Sequence, residues 1–200
     1  MKAAPCREGA TNFSGGTPVL MTSEDDKDLA RRCLEGNARS FETLVDKYYK
    51  VLFNVALRML NDAEEARDVT QGAFLKAYEK LATYDARYKF FSWIYRILVN
   101  EALNTLARRR PQEPLDDQQV SRRKGPDEEY EERRLSDEIG AALMRLSIDH
   151  RQVLVLRHFV GMSYGEMGTV LGLPEKTVRS RLYAARRVLS TILVDRRTTR

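Results

Sequence analysis

Apolar residues in this chain recur at steps of three and four and almost never alternate, a pattern that calls for helices and leaves little room for a sheet. Between Ala38 and Leu60, the residues Phe41, Leu44, Tyr48, Leu52, Val55 and Met59 fall on one side of the helical repeat. Such a stripe is stable only when buried against other helices. The expected fold class is therefore all-α. A short helix is expected ahead of it from about Asp25 to Glu35, closed by Gly36. After it, Asn61 and Asp62 reset the pattern, and Asp62 with Glu65 three residues on resembles a capping box that uses Asp in place of Ser or Thr.

The third helix, expected to run to Leu81, has two dissimilar faces. Ala66, Val69, Ala73 and Ala77 form a small-residue inward stripe that lets neighbouring helices approach closely. Asp68, Gln71, Leu75 and Glu79 line another face, with Phe74 and Tyr78 beside it. A mixed apolar and acidic face suits protein docking; an ordinary solvated face with an incidental leucine fits the same pattern.

From Ala82 to Lys89 the helical pattern breaks, and Tyr84, Tyr88, Phe90, Phe91 and Trp93 fall within ten residues, with Tyr95 following. Aromatic rings can hold unstacked bases, each worth about 1–3 kcal/mol. In the fourth helix, which reaches Pro111, the spacing of Phe91, Ile94, Leu98 and Ala102 marks core. The opposite face carries Trp93, Arg96, Asn100, Asn104 and Arg108, a polar stripe that drifts by about 40° per four-residue step. Asn and Arg along such a stripe can bond base edges and phosphates, and Arg108 to Arg110 add charge.

The C-terminal stretch SYGEMGTVLGLPEKTVRSRLYAARRVL reads as a helix-turn-helix. The first helix is expected from about Tyr164 to Leu171, the turn is Gly172-Leu173-Pro174, and a basic helix starts near Glu175. Gly168 leaves room for a close approach, Gly172 supplies backbone freedom at a helix end, and Pro174 is tolerated at a first turn. Val178, Leu182, Ala185, Leu189 and Ile192 form the core stripe of the second helix, while Lys176, Arg179, Ser180, Tyr183 and Arg187 lie on the other side. A basic helix face of this kind fits the major groove. A helical hairpin with a solvated basic face is the plainer alternative.

Composition narrows the field. The 200 residues carry 34 Lys and Arg against 29 Asp and Glu, a net charge of +5 that leans toward an anionic partner. Acid concentrates at Glu24 to Asp28 and at Asp127 to Glu132, and base at Arg108 to Arg110 and from Lys176 onward, which suggests two kinds of partner surface. Cys6 and Cys33 make no disulfide framework, and His150 and His158 stand outside any metal-ligand spacing, so a reduced cytoplasm, no metal and no cofactor are expected. No apolar run approaches the roughly 20 residues of a membrane span. The organisation expected is a flexible tail over 1–23, with Met21 as an alternative start, a helical domain over 24–110, and a Pro- and charge-rich linker over 111–130. A second helical domain follows over 131–195, with helices from about Glu131 to Leu146 and Asp149 to Phe159 ahead of the helix-turn-helix, and then a basic tail over 196–200.

The segments RSFETLVDKYYKVLFNVALRML, DVTQGAFLKAYEKL, FFSWIYRILVNEALNTLARRR and the terminal helix-turn-helix, in that order, resemble an extracytoplasmic-function sigma factor of the sigma-70 family. The resemblance covers about Asp25 to Leu193 and implies a bacterial stress-response transcription factor built of regions 2 and 4. It implies docking on core RNA polymerase through Asp68, Gln71, Phe74 and Leu75. It implies capture of the melted minus-10 box by the loop with Tyr84 and Tyr88 and by Trp93, Asn100, Asn104 and Arg108. Reading of the minus-35 box falls to Lys176, Thr177, Arg179, Ser180, Arg181, Tyr183 and Arg187. Promoter DNA, core polymerase and an anti-sigma factor are the implied partners, with no small-molecule substrate, no membrane insertion and no enzymatic activity. The chain departs from the family pattern at Lys176, where a Gly is usual, at Ala184, where an Arg is usual, and at Gly72, where an acid is frequent.

Two other readings use the same residues. A helix-turn-helix regulator would need no docking face on the third helix. A metal-dependent nuclease would need Asp62, Glu64, Glu65 and Asp68 to converge, yet acids at a helix start are expected on electrostatic grounds alone.

Overall fold

The computed structural model describes residues 23–109 and 127–198, with side chains over 26–109 and 135–195. The expected N-terminal tail, Cys6, nearly all of the expected linker and the side chains of the basic tail lie outside the described residues. The helices are α1 (Ser23–Leu34), α2 (Ala38–Leu60), α3 (Ala63–Glu79), α4 (Phe90–Arg108), α5 (Asp127–Met144), α6 (Ile148–His158), α7 (Tyr164–Leu171) and α8 (Glu175–Thr198). A 3-10 turn over Leu81–Thr83 follows α3, and no strand occurs among the described residues.

α2 is the axis of the first domain. Its whole predicted stripe is buried, with Leu44, Leu52 and Met59 at 0% exposure, and burial of each side chain of that size contributes about 1.5–3 kcal/mol. Ala66, Ala73 and Ala77 let α3 lie close against α2 and α4. α1 is pinned by Asp26, whose buried carboxylate accepts from the Tyr48 hydroxyl and the Lys47 ammonium at 2.5 Å each. A buried carboxylate needs such donors. Cys33 is buried and free. The expected capping box at α3 is half formed: Asp62 accepts from the Glu65 backbone N–H at 2.9 Å, while the Glu65 carboxylate turns to Arg109. Arg109 also donates to the Leu60 carbonyl at 2.9 Å, tying the end of α4 to the joint between α2 and α3.

The second domain holds α5 to α8. α5 begins at Asp127, a few residues before the start expected from sequence. Ser147 caps α6, accepting from the His150 N–H. α7 opens on a complete capping box: the Ser163 hydroxyl accepts from Glu166 N–H, and the Glu166 carboxylate accepts from Ser163 N–H at 3.0 Å. The Ser163 N–H, then the Ser163 hydroxyl and the Lys89 ammonium, hold the Glu166 carboxyl below the ordinary carboxylate range. Gly172 ends α7 at φ +66°, the left-handed region that favours glycine. Gly168 is needed for close approach as expected, but to the turn rather than to the next helix: a Cβ there would stand 2.8 Å from the Leu173 carbonyl oxygen. Val178, Leu182, Ala185 and Ile192 of α8 are buried and Leu189 is half-buried.

The two domains pack on each other, α2 against α5 and α6, and α4 against α7. Arg151 of α6, only 4% exposed, donates to the carbonyls of Leu143, Met144 and Leu146 at 2.9–3.2 Å in its own domain, and to Met59 at 2.5 Å across the joint. Arg58 of α2 donates to Ser136 at 3.2 Å and lies 4.6 Å over the Phe159 ring.

Candidate nucleic-acid interface

α3 presents its predicted second face outward. Asp68, Gln71 and Glu79 are exposed, Leu75 is 67% exposed and Tyr78 51%, while Ala73 and Ala77 on the other side are fully buried. Phe74 departs from the expectation that it belongs to this face. It is 6% exposed, edge-on to Phe41 with ring centroids at 6.4 Å and stacked with Tyr49 at 6.3 Å, so it supports the face from inside. One helical step separates it from Leu75, and that step of about 100° is enough to move a side chain from surface to core.

The loop after α3 is ordered by its own aromatics. The Tyr84 hydroxyl donates to the Tyr88 carbonyl at 2.7 Å, and the Tyr84 ring lies 5.4 Å from both Phe90 and Trp93. Burial, then the nearby Asp26 and Asp85 carboxylates, push the Tyr84 phenol up to about 12. The Asp85 carboxylate accepts from the Arg87 backbone N–H at 2.9 Å and pairs with its guanidinium at 2.6 Å, closing the tip. Tyr88 remains 49% exposed. Phe90 and Phe91 are buried, so of the predicted aromatic cluster only Tyr84, Tyr88 and Trp93 reach the surface. Arg96, Asn100, Asn104 and Arg108 follow along the exposed side of α4. The loop and α4 thus present one wall, aromatic at one end and basic at the other.

On α8, Lys176, Arg179, Ser180 and Arg187 are exposed, and Tyr183 is 66% exposed. Thr177 is half-buried, and its carbonyl accepts from the Ser180 hydroxyl at 3.0 Å. Arg181 stands apart from this face. It is half-buried and turns toward α6, where it pairs with Asp149 at 3.3 Å. Its position, one step before the core residue Leu182, places it at the edge of the helix–helix seam. Arg179 is held by the Glu175 carboxylate, 2.5 Å from Nη2 and 3.1 Å from Nε.

Three contributors escape a reading of spacing alone. Tyr164 lies beneath two guanidiniums, with Arg157 and Arg179 at 5.0 and 5.1 Å from its ring centroid. Lys89 reaches across the domains to Glu166 at 3.1 Å. Arg151 knits the joint. Each acts through at least one partner distant in sequence, and only the capping-box pattern around Ser163 and Glu166 carries a local signal. The acids at the start of α3 do not converge: Asp62 caps the helix, Glu64 pairs with Arg67 and Glu65 with Arg109. Among the described residues no group of three His, Cys, Asp or Glu side chains is placed to hold a metal ion, and no helix is long and apolar enough to cross a membrane.

Two family models match the chain, one in each domain. Sigma-70 region 2 matches residues 44–112, and Sigma-70 region 4 matches residues 136–189. The chain belongs to the sigma-70 family. It is 36% identical over 186 residues to the RNA polymerase sigma-H factor of Pseudomonas aeruginosa, spanning 87% of this chain and 96% of the relative. It is 32% identical over 176 residues to the ECF RNA polymerase sigma-E factor of Escherichia coli, spanning 82% and 92%. The solved structure of CnrH in complex with the cytosolic domain of CnrY aligns with a TM-score of 0.68 at 29% identity, covering 86% of this chain and 99% of that one. These relatives place the chain in the extracytoplasmic-function branch of the family. Region 2 of this sigma factor carries the exposed face of α3 and the aromatic wall, and region 4 carries the basic helix.

Proposed function

We propose that this sigma factor docks on core RNA polymerase through the exposed face of α3, with Leu75 and Tyr78 as apolar anchors and Asp68, Gln71 and Glu79 as a polar border. The observation that carries this is the exposure of Leu75 and Tyr78, at 67% and 51%, on a helix whose other side is fully buried. Large side chains left exposed beside polar ones fit a partner surface that buries them. Phe74 contributes by holding α3 in place.

Once docked, region 2 takes the melted minus-10 strand. The Tyr84–Tyr88 loop and Trp93 receive an unstacked base, and Asn100, Asn104 and Arg108 follow the strand along α4. Region 4 lays α8 in the major groove of the minus-35 box, where Lys176, Arg179, Ser180, Tyr183 and Arg187 meet bases and phosphates. Arg181 braces α8 from the side. The protein contributes binding energy and strand capture, and the polymerase does the chemistry. An anti-sigma factor that covers these same faces would hold it inactive.

The deciding experiment is Leu75→Arg, which places a charge where an apolar contact is expected and leaves the core untouched. Association with core polymerase and run-off transcription should both fall by at least tenfold while the helical content of the free protein stays the same. Intact association would remove α3 from the docking surface.

A further inference from the structure

Arg179 is an exposed, long side chain, yet three contacts fix where its guanidinium sits. Nε and Nη2 lie on one Glu175 carboxylate oxygen, at 3.1 and 2.5 Å, and Cζ stands 5.1 Å over the Tyr164 ring. The other Glu175 oxygen lies 3.8 Å from the place a Cβ would take on Gly165, so the carboxylate rests against the first turn of α7. Acid at a helix start is favourable. Tyr164 is itself the first residue of α7, directly after the Ser163 cap, and its ring also carries the Arg157 guanidinium at 5.0 Å. Arg157 is fixed in turn by donating to the Met162 carbonyl at 2.8 Å. The first turn of the first helix of the motif thus forms a clamp for a side chain of the second.

We propose that Tyr164 is a positioning residue for minus-35 recognition, a ring platform that with Glu175 pre-orients Arg179 toward its base pair. An unrestrained arginine loses rotamer freedom when it binds a base edge, and a guanidinium already placed loses less. Stacking on an aromatic face and pairing through one edge use the two geometric features that distinguish Arg from Lys. The outer edge, with Nη1, is left for DNA. Specificity at one base pair is then set by a residue that does not touch it.

The inference rests on Arg179 reading a base, as proposed above, and the test separates the two. The full-length protein is assembled with core polymerase, and run-off transcription is measured on templates changed singly at each minus-35 base pair. Arg179→Ala should flatten the preference at one or two adjacent positions. Tyr164→Leu, which keeps an apolar side chain but removes the ring, should lower the preference at those same positions by about two- to fivefold, the range expected of an exposed cation–π contact. Tyr164→Phe should retain it. In the Arg179→Ala background, Tyr164→Leu should have no further effect on preference. Equal loss at every template variant in Tyr164→Leu, or additive effects in the double variant, would reduce Tyr164 to a packing residue and overturn the inference while Arg179 kept its role. An unchanged preference in Arg179→Ala would overturn both.

Discussion

Trp93 sits where two demands meet. Its ring is half-buried against Tyr84 and Phe90, with centroids at 5.4 and 5.6 Å, and its remaining surface opens onto the side of α4 that carries Asn100 and Asn104. Loss of the ring removes part of the platform that shapes the loop and one face on which a base can stack. We expect Trp93→Ala to impair strand opening by about 1–3 kcal/mol and closed-complex binding by much less, with permanganate reactivity of unpaired thymines reporting the first and filter binding the second. Equal loss in both would make Trp93 core alone. At this scale the periodicity sorted most side chains correctly, because a stripe such as Phe41 to Met59 has one energetically acceptable direction. It was undecided where one helical step separates surface from core, as at Phe74, and where partners off the helical repeat answer a polar group. Arg181, which the spacing left off the basic face and only the family resemblance added, lies at the helix–helix seam. Asp26 is buried because Tyr48 and Lys47 answer it, and Arg151 because four carbonyls do. Neither pairing leaves a local pattern in the chain.

At the scale of elements, caps and glycines were legible and helix ends less so. Ser163 with Glu166, Gly172 and Pro174 delimit α7 and the start of α8 as their chemistry requires, whereas Asp62 and Glu65 suggested a reciprocal box that competition from Arg109 dissolves. Two glycines make a controlled comparison. A Cβ on Gly168 would stand 2.8 Å from the backbone oxygen of Leu173, which cannot swing aside, whereas one on Gly72 would meet nothing within 4 Å. Both lie inside helices, where Gly costs roughly 1 kcal/mol relative to Ala. Gly168→Ala should therefore destabilise the protein by about 1–3 kcal/mol, because the strain outweighs the gain in propensity. Gly72→Ala should raise stability by up to about 1 kcal/mol. Chemical denaturation of the two variants side by side tests the pair, and a stabilised Gly168→Ala would show that the turn can relax.

For the whole molecule, the packing of region 2 on region 4 constrains how a promoter can be read. The Tyr84–Tyr88 loop with Lys89 and the first helix of the helix-turn-helix are in contact, with Lys89 and Glu166 3.1 Å apart and Tyr88, Lys89, Met162 and Val170 sharing one cleft. Boxes named for positions about 25 base pairs apart lie about 85 Å apart along B-form DNA at about 3.4 Å per base pair. If the loop and α8 read the two boxes as proposed above, the packed arrangement cannot serve both at once, and the domains separate when the holoenzyme forms a full promoter complex. The exposed Lys89–Glu166 pair contributes little to resisting this, about 0–1 kcal/mol; the Arg151 bond to Met59, from a side chain shielded from water, is the stronger tie. A Cβ on Gly140 would stand 2.1 Å from the Asn61 side-chain oxygen. The Asn61 side chain can swing away from a lone Cβ, so the wedge needs a side chain larger than that relief. Gly140→Leu should then wedge the joint open without entering either core, since the position lies on the surface of α5 that faces the other domain, and α5 itself gains helix propensity. Single-molecule energy transfer between dyes on α1 and α8 should shift toward longer distances in Gly140→Leu, with the helical content of the chain unchanged. An unshifted distribution would mean that the free protein already spends its time with the domains apart, and that the joint is too weak to limit promoter binding.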